Sequence, residues 1–268
     1  MPIINLNGIK AHYHLDDFSP PWIVKPPALL IHSAGGNLNR WRQWMPNLAK
    51  SRPVVRLDLR GHGESSPGEI IESVDQLVQD IEALMGYLQY PTVHLIGASA
   101  GGVVGIRVAE QLKTSIKTLT LVASTPFLAK TTIDTQRWGE ILKTQGTEAW
   151  LKADSDLRFG PETHQQVIDW YAKEGSKTPA NSVISLQSVL LSEDYVPLLP
   201  RIHIPSLILA SQTDGITPPH AQETLHLHLP DSQLVWFENV GHNLKLEIPE
   251  QLSQICSDFM ESNDDLST

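Results

Sequence analysis

Gly97-Ala98-Ser99-Ala100-Gly101 has the spacing G-x-S-x-G, which can put a serine on a sharp strand-to-helix turn with its hydroxyl clear of the backbone. Small neighbours let strand and helix approach closely at such a turn. A serine hydroxyl is a weak nucleophile at neutral pH. The pattern therefore means chemistry only if the chain also supplies a histidine to take the proton and a carboxylate to fix that histidine's tautomer. Both follow later: the apolar run 206–210 leads into a loop holding Asp214, and the run 234–237 leads into a loop holding His242. Ser99, Asp214 and His242 are thus the candidate catalytic set, in the order serine, acid, histidine. Glu238 and Asp134 are alternative acids with weaker placement at strand ends.

Glycine-rich turns also bind phosphate, but the spacings that do so are absent here. A Walker loop needs G-x-x-x-x-G-K-[ST], and no lysine follows these glycines before Lys113; a dinucleotide fingerprint needs G-x-G-x-x-G, and a serine stands at position 99. His220, His226 and His228 fit no metal-binding helix pair and have no carboxylate motif beside them. They read as a surface helix end, and no metal or organic cofactor is expected. Cys256 is the only cysteine, so the chain has no internal disulfide, and a buried small residue on the last helix is the expectation.

These groups need strands that end along one edge of a sheet. The runs 28–32, 53–58, 93–96, 118–122, 206–210 and 234–237 are short and apolar, as buried parallel strands are. Residues 3–6 and 9–15 flank Asn7-Gly8, a dipeptide suited to a type I′ hairpin, so the sheet is expected to begin antiparallel. In 73–88, Val74, Leu77, Val78, Ile81, Leu84 and Met85 share one helical face. From about 126 to 199 the strand pattern stops, and Trp138, Ile141, Leu142, Trp150, Leu151, Val167, Ile168, Trp170 and Tyr171 predict short helices. A helix over about 249–260 closes the chain. The resulting organisation is a core in two parts, 1–125 and 201–268, with a helical cap over 126–200.

A chain of 268 residues with 41% apolar and 19% charged content can bury one large core. Its 20 basic and 30 acidic side chains give a net charge of -10, and no basic tract offers a site for nucleic acid or anionic lipid. No apolar run approaches the roughly 20 residues of a membrane span, and residues 1–15 lack a signal-peptide pattern. The expectation is a cytoplasmic protein with a small-molecule ligand, no nucleic-acid or membrane partner, and a homodimer left open.

Three segments together resemble the α/β-hydrolase superfamily over nearly the whole chain: GASAG around Ser99, Leu29-Leu-Ile-His-Ser-Ala-Gly-Gly36, and Asp58-Leu-Arg-Gly-His-Gly-Glu-Ser65. That resemblance implies an α/β fold with a mostly parallel eight-stranded sheet flanked by helices. It also implies an oxyanion hole made by backbone N–H groups, one from Ala100 and one from the loop after His32, at Ala34 by analogy, or at Ser33. The third segment reads as scaffold, with His62 structural. Within the superfamily the chain is similar to the 3-oxoadipate enol-lactonase-like ester and lactone hydrolases, notably in Arg137-Trp-Gly-Glu-Ile-Leu-Lys-Thr-Gln-Gly146, Trp150 and Arg158-Phe-Gly-Pro161. Its HSAGG loop departs from the NSLGT-like loop of those enzymes. A serine rather than an aspartate nucleophile sets it apart from haloalkane dehalogenases and epoxide hydrolases.

The expected chemistry is hydrolysis of a carboxylic ester or lactone of a small molecule through an acyl-enzyme on Ser99. Ser33, Arg137, Trp138, Trp150 and Arg158 are candidate substrate contacts, and Arg137, Lys143 and Arg158 are the candidates for binding a substrate carboxylate. The same residues would also serve a carbon-carbon bond hydrolase, a thioesterase or a perhydrolase, and a ligand receptor on this fold would retain them too.

Overall fold

The computed structural model describes residues 2–131 and 133–265. Eight strands form one sheet: β1 (Ile3–Leu6), β2 (Ile9–Asp16), β3 (Ala28–Ile31), β4 (Val54–Leu57), β5 (Val93–Ala98), β6 (Ile116–Val122), β7 (Ser206–Ser211) and β8 (Ser232–Phe237). Their order across the sheet is β1-β2-β4-β3-β5-β6-β7-β8. β1 and β2 run antiparallel through the expected hairpin, with Asn7 and Gly8 both at positive φ, 45° and 82°. β2 pairs antiparallel with β4, and every later pairing is parallel.

The inner strands β3 to β7 are almost wholly buried because both faces of the sheet are covered. Along β3 the side chains alternate: Leu29 and Ile31 join one core cluster, Ala28 and Leu30 another. The helix Val74–Tyr87 covers the first face with the six residues its periodicity predicts, and the Ser73 hydroxyl accepts from the Gln76 N–H to start it. The helix Pro249–Glu261 covers the second face through Leu252, Cys256, Phe259 and Met260.

Between β6 and β7 the described residues form helices and short turns only, chiefly Thr135–Ala153, Gln165–Gly175 and Ala180–Leu191. They have a core of their own around Trp138, Leu142, Trp150, Leu151 and Tyr171, which also takes in Ile216 and Leu246 from the loops after β7 and β8. No described helix is long and apolar enough to cross a membrane.

The topology fixes where the chemistry can sit. From β3 the chain passes to β4 on one side and then crosses to β5 on the other, so the loops after β3 and β5 diverge. Such a divergence leaves a crevice at the carboxyl ends of the strands.

Candidate active site

Ser99 directly follows β5 and is the residue before the helix Ala100–Gln111, with φ 53° and ψ -120°. This left-handed conformation is strained for a residue with a Cβ and persists only where the surroundings enforce it. The enforcement is steric: a Cβ on Gly97 would lie 2.4 Å from the Gly101 carbonyl oxygen, and one on Gly101 would lie 2.4 Å from that of Ile31. The two glycines of the G-x-S-x-G spacing are therefore where strand, turn and helix touch backbone to backbone.

Asp214 and His242 follow β7 and β8, so parallel pairing delivers all three groups to the same edge. The His242 Nε2 lies 2.9 Å from the Ser99 Oγ, and its Nδ1 lies 2.9 Å from Asp214 Oδ2 and 3.1 Å from Oδ1. Asp214 and His242 are each 3% exposed, while Ser99 is half-buried. Oδ1 of Asp214 also accepts from the backbone N–H groups of Ile216 and Thr217, both at 2.8 Å. Oδ2 accepts from the Thr217 hydroxyl at 2.7 Å and from Gln222 Nε2 at 3.3 Å. So many donors fix the carboxylate in place, and with an acceptor facing Nδ1 the proton of His242 sits there and Nε2 is free to accept from Ser99. The alternative acids stand elsewhere: Glu238 is exposed, and Asp134 caps the helix Thr135–Ala153.

Two backbone N–H groups at the cavity that holds Ser99 are without a protein acceptor among the described residues. The Ser99 carbonyl accepts from the N–H groups of Gly102 and Val103 and from the Ser124 hydroxyl. In a planar trans peptide the Ala100 N–H must then point the opposite way, out of the helix. The Ser33 carbonyl accepts from the Gly36 N–H at 2.9 Å and from His32 Nδ1 at 2.9 Å. His32 Nε2 accepts from the Leu59 N–H at 3.0 Å, which fixes the proton on Nδ1. The Ala34 N–H is directed away from those donors by the same argument. Among the described residues neither N–H has a protein acceptor, and Ala34, Ala100 and Ser33 all border the cavity that holds Ser99.

That cavity is also lined by Trp138, Trp150, Arg158, Tyr171, Gln187 and Leu190 from the helical segment. Arg158 is 3% exposed, and its guanidinium carbon lies 4.9 Å and 4.6 Å from the ring centres of Trp138 and Trp150. Arg137 differs from expectation. Its side chain is 48% exposed and paired with Asp154 at 2.6 Å, because the helix turns it outward, and it does not border the cavity. Lys143 is exposed as well.

Behind this wall lie two buried cations that no local pattern announces. Arg40 stacks on the Tyr171 ring at 3.7 Å, and Lys245 donates to the Asn243 side chain at 3.1 Å. Burial alone raises the Tyr171 phenol, but Arg158, Arg40 and Lys245 outweigh it and pull the group down to about 7. Burial brings Lys245 down to about 8. Thr217 was foreseeable from its position three residues after Asp214, a common spacing for a turn in which the aspartate accepts from later N–H groups; Gln222 was not. His62 is fully buried, with Nδ1 3.1 Å from the Arg60 carbonyl and its ring 5.3 Å from that of His32, so it supports the loop from beneath.

A hydroxyl, an imidazole and a carboxylate in this series can move a proton off the serine, and two free N–H groups beside it can receive a developing oxyanion. Residues 26–249 match the family described as alpha/beta hydrolase fold, and the chain belongs to that family. Two similar proteins are named for different activities, and a solved structure shares the fold. The chain is 26% identical over 252 residues to the "Dihydrolipoyllysine-residue acetyltransferase component of acetoin cleaving system" of Pseudomonas putida, covering 88% of this chain and 64% of that protein, less than two thirds of its length. It is 26% identical to "3-oxoadipate enol-lactonase 2" of Acinetobacter baylyi, over 88% of this chain and 89% of that one. The enol-lactonase structure from Burkholderia xenovorans LB400 superposes with a TM-score of 0.89 at 22% identity, covering 97% of this chain and all 100% of the other, a likeness of fold.

Proposed function

We propose that the chain is a serine hydrolase that cleaves a carboxylic ester or lactone of a small molecule through an acyl-enzyme on Ser99. The observation that carries this reading is the unbroken series Ser99 Oγ to His242 Nε2 at 2.9 Å and His242 Nδ1 to Asp214 Oδ2 at 2.9 Å. His242 removes the Ser99 proton as Oγ attacks the carbonyl carbon, and Asp214 stabilises the resulting imidazolium. The carbonyl oxygen gains charge and is held by the Ala100 and Ala34 N–H groups. His242 then protonates the leaving alcohol as the acyl-enzyme forms. Water, deprotonated by His242, attacks that acyl group and releases the acid; when the substrate is a lactone, acid and alcohol stay in one molecule. The reaction as written uses no metal or organic cofactor. Residues 126–200 act as a cap whose inner surface, including Trp138 and Trp150, shapes the acyl site.

A panel of 4-nitrophenyl acetate, 4-nitrophenyl butyrate, γ-lactones and enol-lactones tests the proposal. Turnover that disappears in Ser99→Ala supports it. Absence of turnover on the whole panel, or full activity in Ser99→Ala, would overturn it.

A further inference from the structure

The cavity wall is complementary to an anion. Its buried polar atoms without a protein partner are Arg158 Nε and Nη2, Trp150 Nε1, Gln187 Nε2 and Ser33 Oγ. Each of the first four can only donate, and the fifth can donate or accept. No aspartate or glutamate borders the cavity, since Asp214 sits behind His242.

Arg158 is the focus of this imbalance. Among the described residues no carboxylate pairs with it within 4.0 Å. Asp156, the acid closest to it in the chain, is exposed, and Asp154 is already engaged by Arg137 and by Trp138 Nε1. A guanidinium held out of water with unpartnered N–H groups is costly, and breaking or omitting its counter-charge leaves that cost standing. The guanidinium lies against both indole rings, which stand 81° to one another, while its Nε and Nη2 are left without a protein partner.

The segment is also built into the site. Gly215, next to Asp214, donates its N–H to the Leu157 carbonyl at 3.2 Å, and Asn243, next to His242, donates its N–H to the Arg158 carbonyl at 2.9 Å. A Cβ on Gly241 would lie 2.5 Å from the Phe159 backbone. The backbone carrying the guanidinium is therefore fixed to the two loops that hold Asp214 and His242, and any group it binds is held at a set place relative to Ser99.

We propose that Arg158 is the specificity-determining residue of this site and takes a carboxylate borne by the substrate, so that the preferred ester or lactone is an anionic one. The proposal rests on the hydrolytic reading of Ser99, His242 and Asp214 for its turnover arm only. Substrate charge is discriminated by a charge-assisted pair, with Trp150 and Gln187 able to complete the donor set around the carboxylate oxygens.

Mono-4-nitrophenyl glutarate and 4-nitrophenyl valerate, of matched chain length, differ in that carboxylate. Wild type is expected to favour the glutarate ester in kcat/KM by about 10-fold to 100-fold, the range of one charged hydrogen-bonded contact. In Arg158→Gln the glutarate-to-valerate ratio falls to near one, mainly through KM, while Arg158→Lys keeps the charge without the fork and falls between. Glutarate binding to Ser99→Ala, read by calorimetry, tests the subsite without turnover, and Arg158→Gln in that background is expected to weaken it at least 10-fold. Turnover of both esters by wild type with equal kcat/KM overturns the carboxylate subsite. An unchanged ratio in Arg158→Gln, or glutarate binding unaffected by it, overturns the assignment to Arg158. Glutarate binding that depends on Arg158 without turnover of either ester leaves the subsite standing and removes the hydrolytic reading. Should Arg158→Gln fail to fold, the wild-type ratio and Arg158→Lys still decide the matter.

Discussion

Replacing Asp214 by asparagine changes one oxygen to NH2 and inverts the proton inventory around His242. Oδ1 of Asp214 receives two backbone N–H groups, from Ile216 and Thr217, each at 2.8 Å. The asparagine oxygen must occupy that position, because an NH2 there would face two donors. Its NH2 then takes the place of Oδ2, 2.9 Å from His242 Nδ1. A donor at that point forces Nδ1 to be the unprotonated nitrogen and moves the proton to Nε2. There it faces the Ser99 Oγ at 2.9 Å and cannot accept. The serine loses its base while every residue stays in position. The expected loss is about ten-thousandfold in kcat/KM, about 5 kcal/mol of transition-state stabilisation. Stability should fall by only about 1–3 kcal/mol, from the new NH2 against the Gln222 donor. Steady-state kinetics on 4-nitrophenyl butyrate, with thermal unfolding in parallel, checks both numbers. A folded Asp214→Asn protein that keeps more than about a tenth of wild-type activity would refute the reasoning.

Three further outcomes are expected. Gly97→Ala puts a Cβ 2.4 Å from the Gly101 carbonyl oxygen and should cost about 3 kcal/mol or more in urea unfolding. Gly139→Ala, in a helix with nothing within 4 Å of the added Cβ, should be neutral or stabilising by about 0.5–1 kcal/mol; equal losses in the two would contradict the close-approach argument. Burial lowers His32 to about 4, and burial with the neighbouring His32 lowers His62 to about 3. Unfolded histidines titrate near pH 6.5, so from about pH 6.5 down to about 4 the unfolded chain binds more protons. The stability of keeping these rings neutral is thus complete above about pH 6.5 and falls as the pH drops through that window. Tm should fall accordingly between pH 7.5 and 5, and a folded His62→Gln should show a shallower slope; an identical slope would count against His62 as a source.

The strands and the series of functional groups were legible because their signals are local. Short apolar runs gave β3 to β8 to within a few residues, and β5 runs on through Gly97 and Ala98 only because parallel pairing with β6 continues to Val122. Ser99, Asp214 and His242 could be chosen together because each follows a strand, and parallel strands end on one edge. The wall of the cavity was harder to read. Arg137 and Arg158 both occur near tryptophans in the sequence, yet one faces solvent beside Asp154 and the other is buried between two indoles. That difference is set by how the helices pack, which no local spacing encodes. The same holds for Arg40 and Lys245: in sequence each looks like an ordinary surface cation, and only the tertiary fold buries them around Tyr171.

The most direct test of the central claim is covalent. Incubation with a fluorophosphonate probe, followed by intact-mass and peptide mass spectrometry, should show one adduct, on Ser99, formed far more slowly in Asp214→Asn. Labelling at Ser33 or Ser65 instead, or no adduct on folded protein, would contradict the assignment of Ser99 as the nucleophile.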